Sequence, residues 1–256
     1  MASNPAPAAR AEHLTKTYGA KDTLVTALND ISVAFLRGQF TAIMGPSGSG
    51  KSTLMHTMAG LDSVTAGKAF IGDTDLSTLS DRQMTTLRRD KVGFVFQAFN
   101  LVPTLTAAEN ITLPLDIAGR SPDPGWFDEV VTRLGLTDRL SHRPAELSGG
   151  QQQRVAVARA VVARPEIIFG DEPTGNLDSI ASTEVLEILR AAVDEMGQTV
   201  VIVTHDPRAA AFADRVIFLS DGHIVDELTH PTAEQIFATM QSIESAPART
   251  DEELRA

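Results

Sequence analysis

The sequence predicts an α/β fold with a mainly parallel core sheet, an antiparallel β part and an inserted helical subdomain. Short runs rich in β-branched and aromatic residues alternate with longer helical patterns, as a parallel sheet with crossover helices requires. One of these runs, 39–44, opens directly into a Gly-rich turn. Between the runs at 92–96 and 167–169 the pattern is mainly helical. With 256 residues, 43% of them hydrophobic, the chain has material for one large domain of this kind or two small ones.

Residues 1–9 are rich in Ala and Pro and lack the apolar stretch of a secretory signal, so 1–13 is expected as a disordered tail. The domain proper is expected over 14–231. Its first buried strand is 39–44, followed by the turn and a helix over 52–58. Further core strands are expected at 92–96, 167–169 and 200–203. Runs 216–220 and 223–227 flank Asp221-Gly222, a hairpin signal, and so pair antiparallel. The helical subdomain is expected over 98–163, broken by Pro103, Pro114, Pro122, Pro124 and Pro144. Ile236, Phe237, Met240 and Ile243 recur at helical spacing, so a C-terminal helix is expected over 232–243, with a frayed tail from 244 to 256.

Composition removes several classes. There are no cysteines, hence no disulfide frame, zinc-thiolate site or thiol nucleophile. A net charge of −11 opposes nucleic-acid binding through the overall field. The most apolar stretch, 155–163, is interrupted by Arg159, and no run reaches the ~18–20 residues of a membrane span. Any membrane link is therefore expected through a partner.

The turn after the first strand reads Gly45-Pro46-Ser47-Gly48-Ser49-Gly50-Lys51-Ser52-Thr53, the pattern G-x-x-x-x-G-K-[ST] between a strand and a helix. Glycines let main-chain N–H groups converge on phosphate oxygens, and the helix start adds partial positive charge. Lys51 is expected to reach the β- and γ-phosphates of ATP, and Ser52 to ligate Mg²⁺. A second strand, 167–169, ends in Asp171 and Glu172. In phosphate-loop enzymes such a strand lies beside the phosphate-binding strand. Asp171 is then expected to hold Mg²⁺ through water, and Glu172 to act as general base.

Leu147-Ser148-Gly149-Gly150-Gln151-Gln152-Gln153-Arg154 resembles the LSGGQxQR signature of ATP-binding cassette (ABC) ATPases. The resemblance runs from about 14 to 227 and implies a P-loop NTPase cassette that hydrolyses ATP with Mg²⁺. It implies that Ser148, Gly149 and Gly150 clamp ATP held by an opposite subunit. Gln97 resembles the loop glutamine that senses Mg²⁺ and the water and faces a membrane partner. His205 resembles the switch histidine that contacts the γ-phosphate. Asn176, Leu177 and Asp178 resemble the loop that crosses the dimer interface, and Tyr18, the chain's one tyrosine, the aromatic that stacks on adenine. One phosphate loop and one signature imply a homodimer, or pairing with a homologous cassette, when ATP binds.

Two stretches resemble a narrower branch: Phe94-Val95-Phe96-Gln97-Ala98-Phe99-Asn100-Leu101, and Gly175-Asn176 where most importers carry Ser-Ala. Both are similar to the ATPases of macrolide-type exporters, lipoprotein-releasing systems and the related cell-division ATPase. Gly170 departs from that branch's usual Ala. The branch implies a subunit on the cytoplasmic face of a membrane, coupled to an integral permease and binding no nucleic acid. Its alternative is a cell-division ATPase that signals through a membrane partner to cell-wall hydrolases. A DNA-repair or translation ATPase fits less well, because the chain lacks zinc modules, long heptads and a second cassette. A nucleotide-binding module without turnover is opposed by Glu172 and His205 together. The permease dock is expected after Gln97, with Phe99, Leu101, Val102 and Leu105 as contacts.

Overall fold

The computed structural model describes residues 7–20 and 23–245. A six-stranded sheet forms the centre, from β3 (Phe40–Met44), β6 (Val92–Phe96), β7 (Ile167–Asp171), β8 (Val200–Val203), β9 (Arg215–Ser220) and β10 (His223–Thr229). Its order is β10-β9-β3-β8-β7-β6, parallel except for the β9–β10 hairpin. That hairpin turns through Asp221 and Gly222, both at positive φ, as an Asp-Gly turn of this type needs.

The central strands are apolar on both faces because both faces are covered. Ile43, Phe169, Val201, Val203 and Ile217 join one core; Ala42, Met44, Ile168, Val200, Ile202 and Phe218 join the other. The first core lies under α1 (Lys51–Met58) and a four-stranded antiparallel sheet. That sheet contains β1 (Ala9–Tyr18), β2 (Val25–Phe35), β4 (Ala66–Ile71) and β5 (Thr74–Asp75), in the order β2-β1-β4-β5. The second core is covered by α5 (Gly149–Val162), α6 (Ser179–Asp194), α7 (Pro207–Ala210) and α8 (Ala233–Ser245). The remaining helices are α2 (Asp81–Lys91), α3 (Ala107–Ile117) and α4 (Pro124–Arg133). Capping boxes start α2 at Ser80/Gln83, α3 at Thr106/Glu109 and α5 at Ser148/Gln151, each satisfying two orphan N–H groups.

Four expectations are corrected. β7 is not beside the phosphate-loop strand β3: β8 stands between them and pairs with both. Residues 9–13 are not tail but the start of β1, where burying Ala9 and Ala11 in the first core outweighs their low strand propensity. Pro114 does not break the helical subdomain; it sits inside α3, whose capped start and buried Ile111 and Leu115 carry the helix past it. Glu244 and Ser245 belong to α8 rather than to a frayed end. Residues 246–256, the rest of that expected tail, lie outside the described residues.

Candidate active site

The phosphate loop is held from behind by main chain. A Cβ at Gly45 would come within 2.0 Å of the Leu219 carbonyl oxygen, and one at Gly50 within 2.4 Å of that of Ala27. Both glycines have positive φ, 146° and 99°, so no L side chain fits either the space or the backbone. The Gly222 N–H donates to the Ser49 carbonyl at 3.1 Å, pinning the loop to the β9–β10 turn. Ser47 and Gly48 face outward, and Thr53 lies in the first turn of α1. Lys51 Nζ donates to the carbonyls of Gly45 (2.9 Å) and Pro46 (2.6 Å). Burial lowers its pKa, while the charges of Glu172 and Asp171 hold it up.

Across β8 stands the acidic end of β7. Asp171 Oδ1 accepts from Ser52 Oγ at 3.4 Å, and His56 Nε2 lies 3.6 Å from Oδ2. Burial pushes the Asp171 carboxyl up, partly offset by His56. Glu172 adopts φ 48°, a left-handed conformation costly for a side chain other than glycine. Its N–H still donates to the Val203 carbonyl at 3.0 Å, so the strand pairing continues while the backbone turns. His205 Nδ1 lies 2.8 Å from the Glu172 carboxylate. A carboxylate only accepts, so Nδ1 carries the proton there and Nε2 is left outward. Glu172 is thereby both aimed and held by the strand end that delivers His205.

Gln97 follows β6, and its N–H donates to the Asp171 carbonyl at 3.1 Å. Its side chain meets Asn176. The signature forms the start of α5: Ser148 Oγ accepts from the Gln151 N–H at 3.2 Å and keeps its own proton for donation. With Gly149 and Gly150 it borders a separate depression of about 510 Å³, shared with Asn176, Asp178 and Ile180 and not with the phosphate loop. Asp178 caps α6 by accepting from the Ile180 and Ala181 N–H groups. Tyr18 ends β1 with its hydroxyl donating to Asp62 Oδ2 at 2.5 Å, and Lys16 Nζ reaches Asp62 Oδ1 at 2.6 Å.

The structure thus brings Lys51, Ser52, Asp171, Glu172 and His205 around one slot, joins Gln97 to it through β7, and leaves the signature apart. Sequence reasoning missed His56, Asp62 and Gln153. Gln153 is fully buried and donates to the Pro173 carbonyl at 2.6 Å, tying the signature helix to the loop after Glu172. No motif announces His56 or Asp62; Gln153 stands inside the signature octet but was given no role there, although it is a polar residue on the core face of an apolar helix.

A strand–loop–helix phosphate cradle facing an acid–imidazole pair across one strand defines a P-loop ATPase. The chain belongs to the ABC transporter family, whose description, "ABC transporter", matches residues 28–175, and it is an ATP-binding, ATP-hydrolysing cassette of it. A macrolide export ATP-binding/permease protein of Marinobacter nauticus is 44% identical over 226 residues. That match covers 88% of this chain but only 35% of the relative, so the chain spans about a third of the macrolide-export relatives it matches. An uncharacterized ABC transporter ATP-binding protein of Methanocaldococcus jannaschii, MJ0796, is 44% identical over 222 residues, covering 84% of this chain and 94% of that one. The dimeric post-hydrolysis structure of MJ0796 with ADP and Pi aligns with TM-score 0.77 at 41% identity, over 87% of this chain and 99% of that one. A Clostridium perfringens cassette, cbiO1, described as part of an ABC transporter complex, aligns with TM-score 0.78 at 25% identity, over 96% of each chain.

Proposed function

We propose that this cassette powers a separate integral membrane permease of the export or lipoprotein-release type, closing as a dimer when ATP binds. Tyr18 stacks on adenine, the loop 45–53 wraps the phosphates, and Lys51 turns from its two carbonyls to the β- and γ-phosphates. Ser52, Asp171 and Gln97 offer oxygen donors, the kind Mg²⁺ selects. Bound Mg²⁺ would neutralise charge on the phosphate oxygens. Glu172 takes a proton from the attacking water as its oxygen bonds to the γ-phosphorus and the bridging P–O bond to ADP breaks. His205, oriented by Glu172, donates an N–H to a γ-phosphate oxygen. Ser148, Gly149 and Gly150 of the second cassette close the site from the other side, and Asp178 shapes the loop that meets them.

The observation that carries the permease reading is an apolar groove of about 560 Å³ between edge strand β6 and α3. Phe94, Phe96, Leu113, Pro114 and Ile117 line it, with Arg88, Arg89 and Arg159 at its border. Ile117 is 70% exposed, a large apolar side chain with no role in either core. Arg159 donates to the carbonyls of Phe99 and Asn100, so the segment after Gln97 is tied to the groove wall. Leu101 packs on the core, which moves the favoured contacts from 99–105 towards Phe96 and Ile117. No helix among the described residues is long and apolar enough to cross a membrane, and a groove of this kind supplies the link.

The test is capture of the chain from membranes with its partner identified. Ile117→Asp is expected to lose the permease while the isolated chain melts within about 2 °C of wild type. Unchanged capture removes the groove from the reading. Capture of a membrane protein with no transport role turns the reading towards the cell-division alternative.

A further inference from the structure

A glutamine ligates a cation through its oxygen and never through its nitrogen, yet the two ends of its carboxamide are nearly the same size and shape. Something must decide which end faces the metal. The side chain of Gln97 lies across Gly175 and against Asn176. Its Nε2 donates to Asn176 Oδ1 at 3.0 Å, and Asn176 Nδ2 donates to the main-chain carbonyl of Gln97 at 3.2 Å. The sense of this pair is forced. A main-chain carbonyl only accepts, so Asn176 must turn its nitrogen towards it. The oxygen of Asn176 is then the atom facing Gln97, which must answer with Nε2. Gln97 Oε1 is the end left over, and it accepts no hydrogen bond among the described residues.

Gly175 supplies the room. A Cβ there would lie 2.9 Å from Gln97 Nε2, 3.1 Å from Cδ and 3.3 Å from Cγ. A Ser-Ala pair at 175 and 176 would crowd the carboxamide and remove both bonds. Two independent features, a missing side chain and a reciprocal amide pair, therefore serve the same orientation.

We propose that Gly175 and Asn176 form a seat that orients the Gln97 carboxamide, presenting Oε1 to Mg²⁺, with Asn176 as a positioning residue for metal use. The inference rests on the reading of Gln97 as a magnesium ligand. Gln97 and Asn176 are both exposed, so substitution leaves the core untouched.

The first measurement needs no metal or nucleotide. In ¹⁵N-labelled full chain, the Gln97 side-chain amide is expected downfield, and in Asn176→Ala at the free-glutamine position. An unmoved signal overturns the seat. The second measurement is the Mg²⁺ concentration for half-maximal ATP hydrolysis. Asn176→Ala is expected to raise it about 10-fold, the low end for a group supporting a ligand, with the KM for ATP at saturating Mg²⁺ held within about twofold. Gly175→Ser is expected to do the same. Added to Gln97→Ala, Asn176→Ala is expected to change the requirement by less than about twofold, because the group it supports is gone. An equal rise in both backgrounds overturns the proposal, since Asn176 then acts on its own. If Gln97→Ala alone leaves the requirement at the wild-type value, the ligand reading itself has failed and takes the inference with it. If Gln97→Ala raises it and Asn176→Ala does not, the ligand stands and only the seat falls.

Discussion

Asp171 is a carboxylate that its surroundings hold back from ionising: burial raises its pKa and the charge of Glu172 adds to that, against His56, Ser52 and Lys51. With the folded pKa above the unfolded one, the ionised side chain costs stability at neutral pH. That cost fades as pH falls through the raised value towards the ordinary 3.8. Asp171→Asn is therefore expected to raise Tm at pH 7, by about 2–4 °C for each kcal/mol relieved, while losing Mg²⁺-dependent turnover. Thermal melts from pH 7 to 4 check the sign, since the gain must shrink with acid. Lys51 and Glu172 are proposed to divide the remaining work. Lys51→Ala should lose nucleotide binding, because the charge opposing the phosphates is gone. Glu172→Gln should keep binding and lose turnover by about 10²- to 10⁴-fold, because an amide cannot take the proton. Filter binding and phosphate release separate the two, and near-normal release by Glu172→Gln would sink the assignment. These residues were legible because each sits inside a contiguous motif. The partners of Gln97, Asp171 and Tyr18 were not, since Asn176, His56 and Asp62 reach them only through the folded chain.

Among the elements, α5 joins the signature to the chemistry. Its Gln153 is the buried strut to the Pro173 carbonyl, and Gln153→Leu leaves that acceptor unpaired while burying an apolar chain in its place. Urea denaturation is expected to show a loss of about 1–3 kcal/mol, with α5 otherwise intact. Strand legibility divided along the same physical line. β3, β6, β7 and β8 were read within a residue or two because two-sided burial writes them as apolar runs. The four-stranded sheet was not located. β1 shifts register against β2 after Ala11, Leu14 and Lys16, and His13 and Asp30 take positive φ there. Such bulges break the alternation from which a one-sided strand is recognised. Pro114 misled for a related reason: proline reports a local cost, while the Thr106/Glu109 cap and the buried face of α3 decide whether the helix bears it.

At the scale of the whole molecule, the signature borders a depression that the phosphate loop does not share, and the proposed function needs a second chain to close the γ-phosphate site. ATP is expected to convert Glu172→Gln from monomer to dimer at micromolar protein, read by size exclusion with light scattering. Adding Ser148→Arg should prevent this, and a dimer that survives it would place the contact elsewhere. Within each chain, β8 separates the strand that launches the phosphate loop from the strand that ends in Asp171. Two interstrand steps put those strands about 9–10 Å apart. That interval is a gauge set by main-chain hydrogen bonding, as the pitch of a screw is set by its thread. Substitutions at 51, 171, 172 or 205 change what the walls of the slot do, but not how far apart they stand. Only inserting or deleting a strand would re-cut it, so the interval between the phosphate loop and the acidic strand end belongs to the peptide backbone and stays fixed while the side chains around it vary.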